Sequence, residues 1–283
     1  MSLIVTGASG QLGSLVVESL LERGVAPEQI VATGRRLDAL ARFATRGVRT
    51  AELDYARPET IDAVLSGGDT VLLVSGSEVG ERAIQHQNVI DAAVRAGIAR
   101  LVYTSATDAT TSDLVVAPEH KVTEEAIIAS GLPATVLRNG WYSENYAQTV
   151  AQAAESGFFI GSVGAGRVAS ASRKDYADAA AVALTRPDLE GQTLELSGDT
   201  AWDYAELAAA IAAVAERDVE YRDLSPEAHA EALRGFGLDE GTIGFVVALD
   251  GNIRDGLLSA TPGELSRLIG RPTTPLVDGL RAL

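Results

Sequence analysis

Six short apolar runs, rich in β-branched residues, alternate with helical stretches through the first half of this 283-residue chain, and that rhythm leaves few folds open. Leu3–Thr6, Gln29–Thr33, Val48–Leu53, Thr70–Ser75, Arg100–Ser105 and Ala134–Arg138 read as strands. Gln11–Arg23, Leu37–Arg46, Pro58–Leu65, Ala83–Ala96 and Glu119–Ser130 read as the helices between them. Strands that are apolar nearly throughout must be covered on both faces, and a parallel sheet with right-handed helical crossovers meets that demand. Gly24, Gly47, Gly97 and Gly131 each fall just past a helical pattern, where a left-handed terminating residue belongs. The pattern predicts an α/β, doubly wound parallel sheet.

The rhythm breaks near residue 140, so residues 1–140 are expected to form the sheet domain and 141–283 mainly a smaller α/β C-terminal substrate lobe, partly interleaved with it. Phe158–Gly161 and Gly166–Ser170 flank Gly164-Ala165-Gly166 and read as a hairpin. Ser172 with Asp175 reads as a capping box opening a helix over Arg173–Leu184. A strand at Gln192–Ser197, a helix at Tyr204–Glu216, a strand at Val219–Arg222 and two further helical stretches follow.

The first strand runs directly into Gly7-Ala8-Ser9-Gly10-Gln11-Leu12-Gly13 and then a helix. Glycines so placed permit a tight turn, a close approach of a pyrophosphate to backbone, and close helix–strand packing, the Rossmann-type dinucleotide signature. An NAD site usually has a carboxylate about 20 residues further on, for the ribose 2′-hydroxyl. Here the second strand ends in Gly34-Arg35-Arg36, with Arg35 22 residues past Gly13. A guanidinium there suits a 2′-phosphate, so NADP(H) is the expected cofactor. Asp54, after the third strand, suits the adenine amino group and equally a loop cap. Ser75, Gly76 and Ser77 end the fourth strand and Thr104-Ser105 the fifth, all facing the crevice expected to hold the nicotinamide half.

Charge and composition close off other classes. Lys+Arg 23 against Asp+Glu 39 gives a net charge of −16, which repels a polyanion, so no nucleic-acid partner is expected. The absence of cysteine removes thiol catalysis, disulfides and thiolate metal sites. The first strand begins at Leu3, and no apolar run approaches membrane-spanning length. A cytoplasmic protein without a signal peptide or membrane partner is therefore expected, and a homodimer is compatible with the chain.

The two lysines decide against the commonest alcohol–ketone chemistry of such folds. A Tyr-x-x-x-Lys pair uses its lysine to lower the tyrosine pKa. Lys121 has Ala117 four residues before it and Lys174 has Ser170, so no such pair exists. Neither a Gly-x-Ser-x-Gly elbow nor a Gly-Lys-[Ser/Thr] phosphate loop occurs. His86, His120 and His229 are too scattered to suggest a metal site. His86 and His120 fall near the expected crevice; His229, in Glu227–Glu231, reads as a helix-surface residue.

Four segments resemble the NADPH:quinone oxidoreductase type 2 proteins, an NmrA-like branch of the atypical short-chain dehydrogenases. They are Gly7–Gly13; Ser75–Gly80 with Gln85–Ile90; Arg138–Tyr146; and Ile269–Thr274, so the resemblance spans essentially the whole chain. The resemblance implies flavin-free transfer of hydride from NADPH to a quinone-like acceptor. It implies cofactor contacts at Gly7–Leu12, Arg35, Ser75–Ser77, Asn139, Gly140, Trp141, Tyr142, Ser143, Glu144 and Arg173. Gly76 stands where that family often has serine. Trp141, Tyr142 and Tyr146 are the aromatic residues expected near the acceptor, although aromatic clusters also serve as core. Tyr142 or Asn145 could stabilise a developing quinone oxyanion. Related triphenylmethane-dye reductases and non-catalytic NADP(H) sensors share the framework and are the alternative readings.

Overall fold

The structure is a computed structural model that describes residues 2–78 and 80–283; Val79, within the segment 75–80, lies outside the described residues. Six strands arise in the expected order: β1 (Leu3–Val5), β2 (Ile30–Gly34), β3 (Arg49–Glu52), β4 (Thr70–Leu73), β5 (Arg100–Ala106) and β6 (Ala134–Asn139). The helices α1 (Gln11–Glu22), α2 (Ala41–Ala44), α3 (Pro58–Asp62), α4 (Arg82–Ala96) and α5 (Ala117–Ser130) alternate with them. The stretch read as one helix over Leu37–Arg46 is a 3-10 turn, Asp38–Leu40, followed by the single turn of α2.

After α6 (Ala147–Ser156), β7 (Phe158–Gly161) and β8 (Arg167–Val168), the chain continues with α7 (Arg173–Thr185) and β9 (Thr193–Leu196). The sheet order is β3-β2-β1-β4-β5-β6-β9, and the registered pairs β3·β2, β2·β1, β1·β4, β4·β5 and β5·β6 are all parallel. The winding reverses between β1 and β4, so the carboxyl ends of those two strands border the topological switch point. Every residue of β1, β2, β4 and β5 is buried, which is why these strands are apolar without alternation.

The chain divides into two compact units, the first comprising Met1–Thr110, Pro118–Asn139 and Arg173–Glu195. In it α7 packs along α1, and Ala177, Ala179, Ala180, Ala181 and Ala183 are all fully buried. Alanines there let the helix lie close to α1 and the sheet. Lys174 serves the same packing: its ammonium reaches Asp178 at 2.6 Å and Glu22 at 2.9 Å, and Ser19 donates to Asp178 at 2.6 Å. Arg100, only 4% exposed, donates to the carbonyls of Ala183 (2.7 Å), Leu184 and Arg186. It thus satisfies the carbonyls that the end of α7 leaves without helical partners, where the helix dipole also favours a cation.

The second unit comprises Thr111–Ala117, Gly140–Ser172 and Leu196–Leu283. Its further elements are β10 (Trp202–Asp203), α8 (Tyr204–Ala215), β11 (Glu220–Asp223), α9 (Pro226–Gly235), α10 (Glu240–Arg254), α11 (Glu264–Ile269) and α12 (Leu276–Arg281). The expected hairpin is not formed: β7 pairs in parallel with β11, and β8 pairs antiparallel with β10. Gly166 explains the difference, because its α-carbon lies against the backbone of Ile253 and Arg254, with no room for a Cβ. The glycines at 164–166 thus serve a close crossing over the end of α10 rather than a strand-to-strand turn. A full capping box occurs at α8, where Asp203 accepts from the Glu206 N–H (2.9 Å) and Glu206 accepts from the Asp203 N–H (2.8 Å). An aromatic core of Tyr146, Phe159, Trp202 and Tyr204 holds this unit together, with Tyr146 edge-on to Trp202 at 5.1 Å.

Candidate functional site

The turn after β1 is built for a close backbone approach. Gly7 sits at φ +61°, in the left-handed region, while the Ala8 N–H donates to the Thr33 carbonyl at 2.7 Å and the Gly10 N–H to the Gly7 carbonyl at 2.9 Å. A Cβ on Gly13 would lie 2.5 Å from the Gly7 oxygen and 2.9 Å from the Ala8 Cα, so only glycine lets α1 start this near the turn. Gly10 caps α1 in an extended conformation, with no side-chain cap hydrogen bond among the described residues. An uncapped helix start with positive partial charge suits an anion such as a pyrophosphate. Tyr55, which the sequence analysis did not single out, braces the turn from below. Its hydroxyl contacts Thr6 Oγ1 and donates to the Val74 carbonyl at 2.8 Å. Burial pushes its pKa far up, so it remains a neutral donor.

Arg35 follows β2 directly and pairs with Glu78 at 2.5 Å; both side chains are well exposed. The Gln85 amide donates to the other Glu78 oxygen at 2.6 Å, and Gln85 and Arg35 together hold that carboxyl below its ordinary range. Asp54 acts as a loop cap, accepting from the Ala56 N–H at 3.0 Å and from Arg57 Nε at 3.4 Å.

The loop after β4 is held by side chains from β5 and α4. The Ser75 N–H donates to Thr104 Oγ1 at 2.9 Å, and the Gly76 N–H donates to His86 Nε2 at 3.0 Å. Thr123 donates its own proton to the Glu119 carbonyl, so its oxygen accepts from His86 Nδ1–H at 3.0 Å. That fixes one neutral tautomer of His86. Burial, the nearby His120 and Arg82 push its pKa down to about 3. Arg82 clamps the same loop by donating to the Gly76 carbonyl at 2.7 Å and to Glu119 at 3.1 Å. His120 is likewise lowered to about 3, by burial and by Arg82, and its Nδ1 lies 2.7 Å from the Tyr103 hydroxyl. His86 therefore holds the loop, while His120 bonds to the Tyr103 hydroxyl of β5. Ser75 and Gly76 are half-buried and Ser77 exposed.

Buried ion pairing organises the ends of β5 and β6. Ser105 donates to Glu124 at 2.5 Å, and Arg138 grips Glu124 at 2.7 Å and 3.0 Å while reaching Glu195 at 2.9 Å. Asn139 is the last residue of β6 and accepts from the Thr107 N–H at 3.1 Å through its carbonyl; Arg173 opens α7 in the same unit.

In the second unit Gly140 donates to the Leu196 carbonyl at 2.7 Å, and Trp141 and Ser143 exchange backbone bonds with Ala171. Tyr142, between them, is half-buried and bridges to Ala171 through its backbone. The Ser143 hydroxyl is buried 2.9 Å from the Ser170 hydroxyl. Glu144 is half-buried and Asn145 exposed, whereas Tyr146 belongs to the aromatic core. His229 is not a surface residue. It is 3% exposed, with Nδ1 at 3.1 Å from Asp250 and 3.2 Å from Ser162, because α9 turns its inner face onto α10 and β7.

A protein family described as NAD(P)H-binding matches residues 7–187. Quinone oxidoreductase 2 of Escherichia coli is 42% identical over 99% of this chain and 97% of its own length. A crystal structure of the NADPH-dependent quinone oxidoreductase from Escherichia coli, complexed with NADPH, superposes with a TM-score of 0.94 at 42% identity, covering 100% of this chain and 99% of that one. The Citrobacter sp. triphenylmethane reductase complexed with NADP(H) gives 0.92 at 33% identity, covering 99% of both chains.

Proposed function

The chain belongs to the NAD(P)H-binding family, and we propose that it is an NADPH-dependent, flavin-free reductase that transfers hydride to a quinone. One observation carries the cofactor half: an uncapped α1 whose Gly13 admits no Cβ, followed by an arginine rather than a carboxylate at the end of β2. The likeness to quinone oxidoreductase 2 over 99% of the chain supports the acceptor half.

When bound, NADPH supplies the hydride. Gly7–Gly13 would take its pyrophosphate, with the first-turn N–H groups of Gln11, Leu12 and Gly13 as donors. Arg35 would pair with the 2′-phosphate once released from Glu78, and Asp54 would border the adenine. Ser75, Gly76 and Ser77 would line the nicotinamide half, kept in place by His86 and Arg82 behind them. Asn139, Gly140–Glu144 and Arg173 complete the proposed contacts. Tyr142 and Asn145 would donate to the quinone oxygen that gains negative charge. The one proton required comes from water, so the reaction consumes NADPH, quinone and one proton and yields NADP+ and hydroquinone. No tuned acid is required, which agrees with the missing Tyr-x-x-x-Lys pair. Positioning of an electron-poor ring supplies most of the rate.

A cytoplasmic location and a homodimer belong to the same proposal; light scattering of the purified chain tests the latter. The decisive assay follows NADPH absorbance against benzoquinone, a naphthoquinone and a triphenylmethane dye, with no flavin added and NADH in parallel. Turnover of quinone with NADPH is expected. The likeness to the triphenylmethane reductase favours dye reduction as the second reading, and turnover of dye alone would establish it instead. Tight NADPH binding with no turnover of any acceptor would refute both and indicate a sensor.

A further inference from the structure

In this structure Arg35 is already engaged by an anion, the carboxylate of Glu78. Its Nη1 lies 2.5 Å from Glu78 Oε1, and the Gln85 amide donates to Glu78 Oε2 at 2.6 Å, so each carboxylate oxygen has its own donor. The placement of the pair is unusual for a surface contact. Arg35 follows β2 and Glu78 lies in the loop after β4, and β1 runs between those two strands in the sheet. Neighbouring strands are about 4.8 Å apart, so β2 and β4 stand about 10 Å apart. The two side chains therefore meet across the carboxyl end of β1, where the Gly7–Gly13 turn begins. All of these residues belong to the first unit.

The loop is shaped to keep Glu78 there. Gln85 is 8% exposed on α4, so its amide is a fixed donor rather than a mobile surface group. A Cβ on Gly76 would lie 3.2 Å from Gln85 Oε1, and the glycine gives that amide its seat. The Arg35–Glu78 pair itself is open to water, with side chains 62% and 43% exposed. Such a pair is weak, and a stronger anion displaces it readily. A phosphate monoester is that anion: it carries about 1.5 to 2 negative charges at pH 7 and three acceptor oxygens, against one charge on a carboxylate. A ribose hydroxyl, uncharged, has no comparable hold on a guanidinium.

We propose that Glu78 is a specificity-determining residue for the dinucleotide, an internal competitor that the 2′-phosphate of NADPH must displace from Arg35. The inference rests on the reading of Arg35 as the partner of that phosphate. NADPH takes the guanidinium from Glu78 and leaves a carboxylate beside a new phosphate, so part of the gain is lost to the broken pair and to repulsion. NADH leaves the pair closed and bears neither cost. Glu78 thereby narrows the preference for NADPH that Arg35 creates, and Gln85 is the positioning residue that keeps the competitor in reach.

Isothermal titration calorimetry of the full chain with NADPH and, separately, NADH tests this in four variants. Glu78→Gln should tighten NADPH about two- to tenfold, from the pair no longer broken and the repulsion removed. Its NADH affinity should stay within about twofold, as for an ordinary surface substitution. Glu81→Gln removes an equal charge from an exposed neighbour and should leave both nucleotides within about twofold. Arg35→Ala should weaken NADPH selectively, and adding Glu78→Gln to it should recover less than half of the gain, on a logarithmic scale, seen in the parent. Unchanged or weaker NADPH binding in Glu78→Gln, an equal gain for NADH, an equal gain in Glu81→Gln, or the full gain in the Arg35→Ala background would each overturn the competition. With a selective NADPH loss in Arg35→Ala, any of these results sinks the role of Glu78 alone. Arg35→Ala weakening both nucleotides equally, or neither, overturns the 2′-phosphate reading itself and this inference with it.

Discussion

Replacing His86 by glutamine should remove a defined part of the acid sensitivity of this fold. His86 is fully buried, accepts from the Gly76 N–H and donates to Thr123, and its pKa is pushed down to about 3, as is that of His120. An unfolded histidine titrates near 6.5. Between these values the unfolded chain binds protons that the folded one refuses, so stability is full above about pH 6.5 and falls as the pH drops toward 3. Linkage gives a loss of about 2 kcal/mol per histidine between pH 7 and 5, or about 4 kcal/mol for the pair. That is a large share of a typical total of about 5–15 kcal/mol. Urea unfolding at pH 7, 6 and 5 measures it. His86→Gln should start about 1–2 kcal/mol lower at pH 7, through imperfect replacement of two hydrogen bonds, and then lose about 2 kcal/mol less than the parent on going to pH 5. Carboxylate titrations are common to both chains and cancel in the difference. Parallel stability–pH curves would refute the assignment of His86 as a neutral, loop-holding acceptor.

Arg35→Asp should weaken NADPH by about 10- to 150-fold or more, the worth of charge-assisted bonds to a phosphate, with little effect on NADH. Equal losses in fluorescence titrations with both nucleotides would remove Arg35 from the 2′-phosphate. Gly13→Ala puts a methyl 2.5 Å from the Gly7 carbonyl oxygen, so the turn must shift. A stability loss of about 1–3 kcal/mol in denaturant melts, with a clear loss of nucleotide affinity, is expected. Tyr142→Phe should lower the rate at saturating NADPH and quinone about tenfold, the value of one hydrogen bond that strengthens as charge develops, and stopped-flow turnover checks it.

The parts of this molecule that were legible in its sequence are those governed by local rules. Buried parallel strands must be apolar throughout, so β1, β2, β4 and β5 were visible as runs, and the glycines after β1 declared the turn. Segments whose roles depend on distant partners were not. Phe158–Gly161 and Gly166–Ser170 carry hairpin chemistry, yet β11 lies about 60 residues beyond β7 and takes it as a parallel partner instead. Likewise the serine and glycine of Ser75-Gly76 suggest an ordinary turn. What fixes that turn is His86, Arg82 and Thr104, contributed by α4 and β5.

His229 shows the same limit most sharply. Flanked by Glu227 and Glu231, it has the local pattern of a solvated helix, and only the arrival of Asp250 and Ser162 from other elements turns it inward. The carboxylate beside the buried imidazole is satisfied by two donors, the Ser162 N–H and the Ser162 hydroxyl, and His229 Nδ1 lies 3.1 Å from it. A helix of small and acidic residues carries no sign of this, since the burial is created by tertiary partners. A chain's dinucleotide chemistry can thus be read from a turn of seven residues, whereas the inward turn of a single histidine resides in contacts that no local pattern encodes.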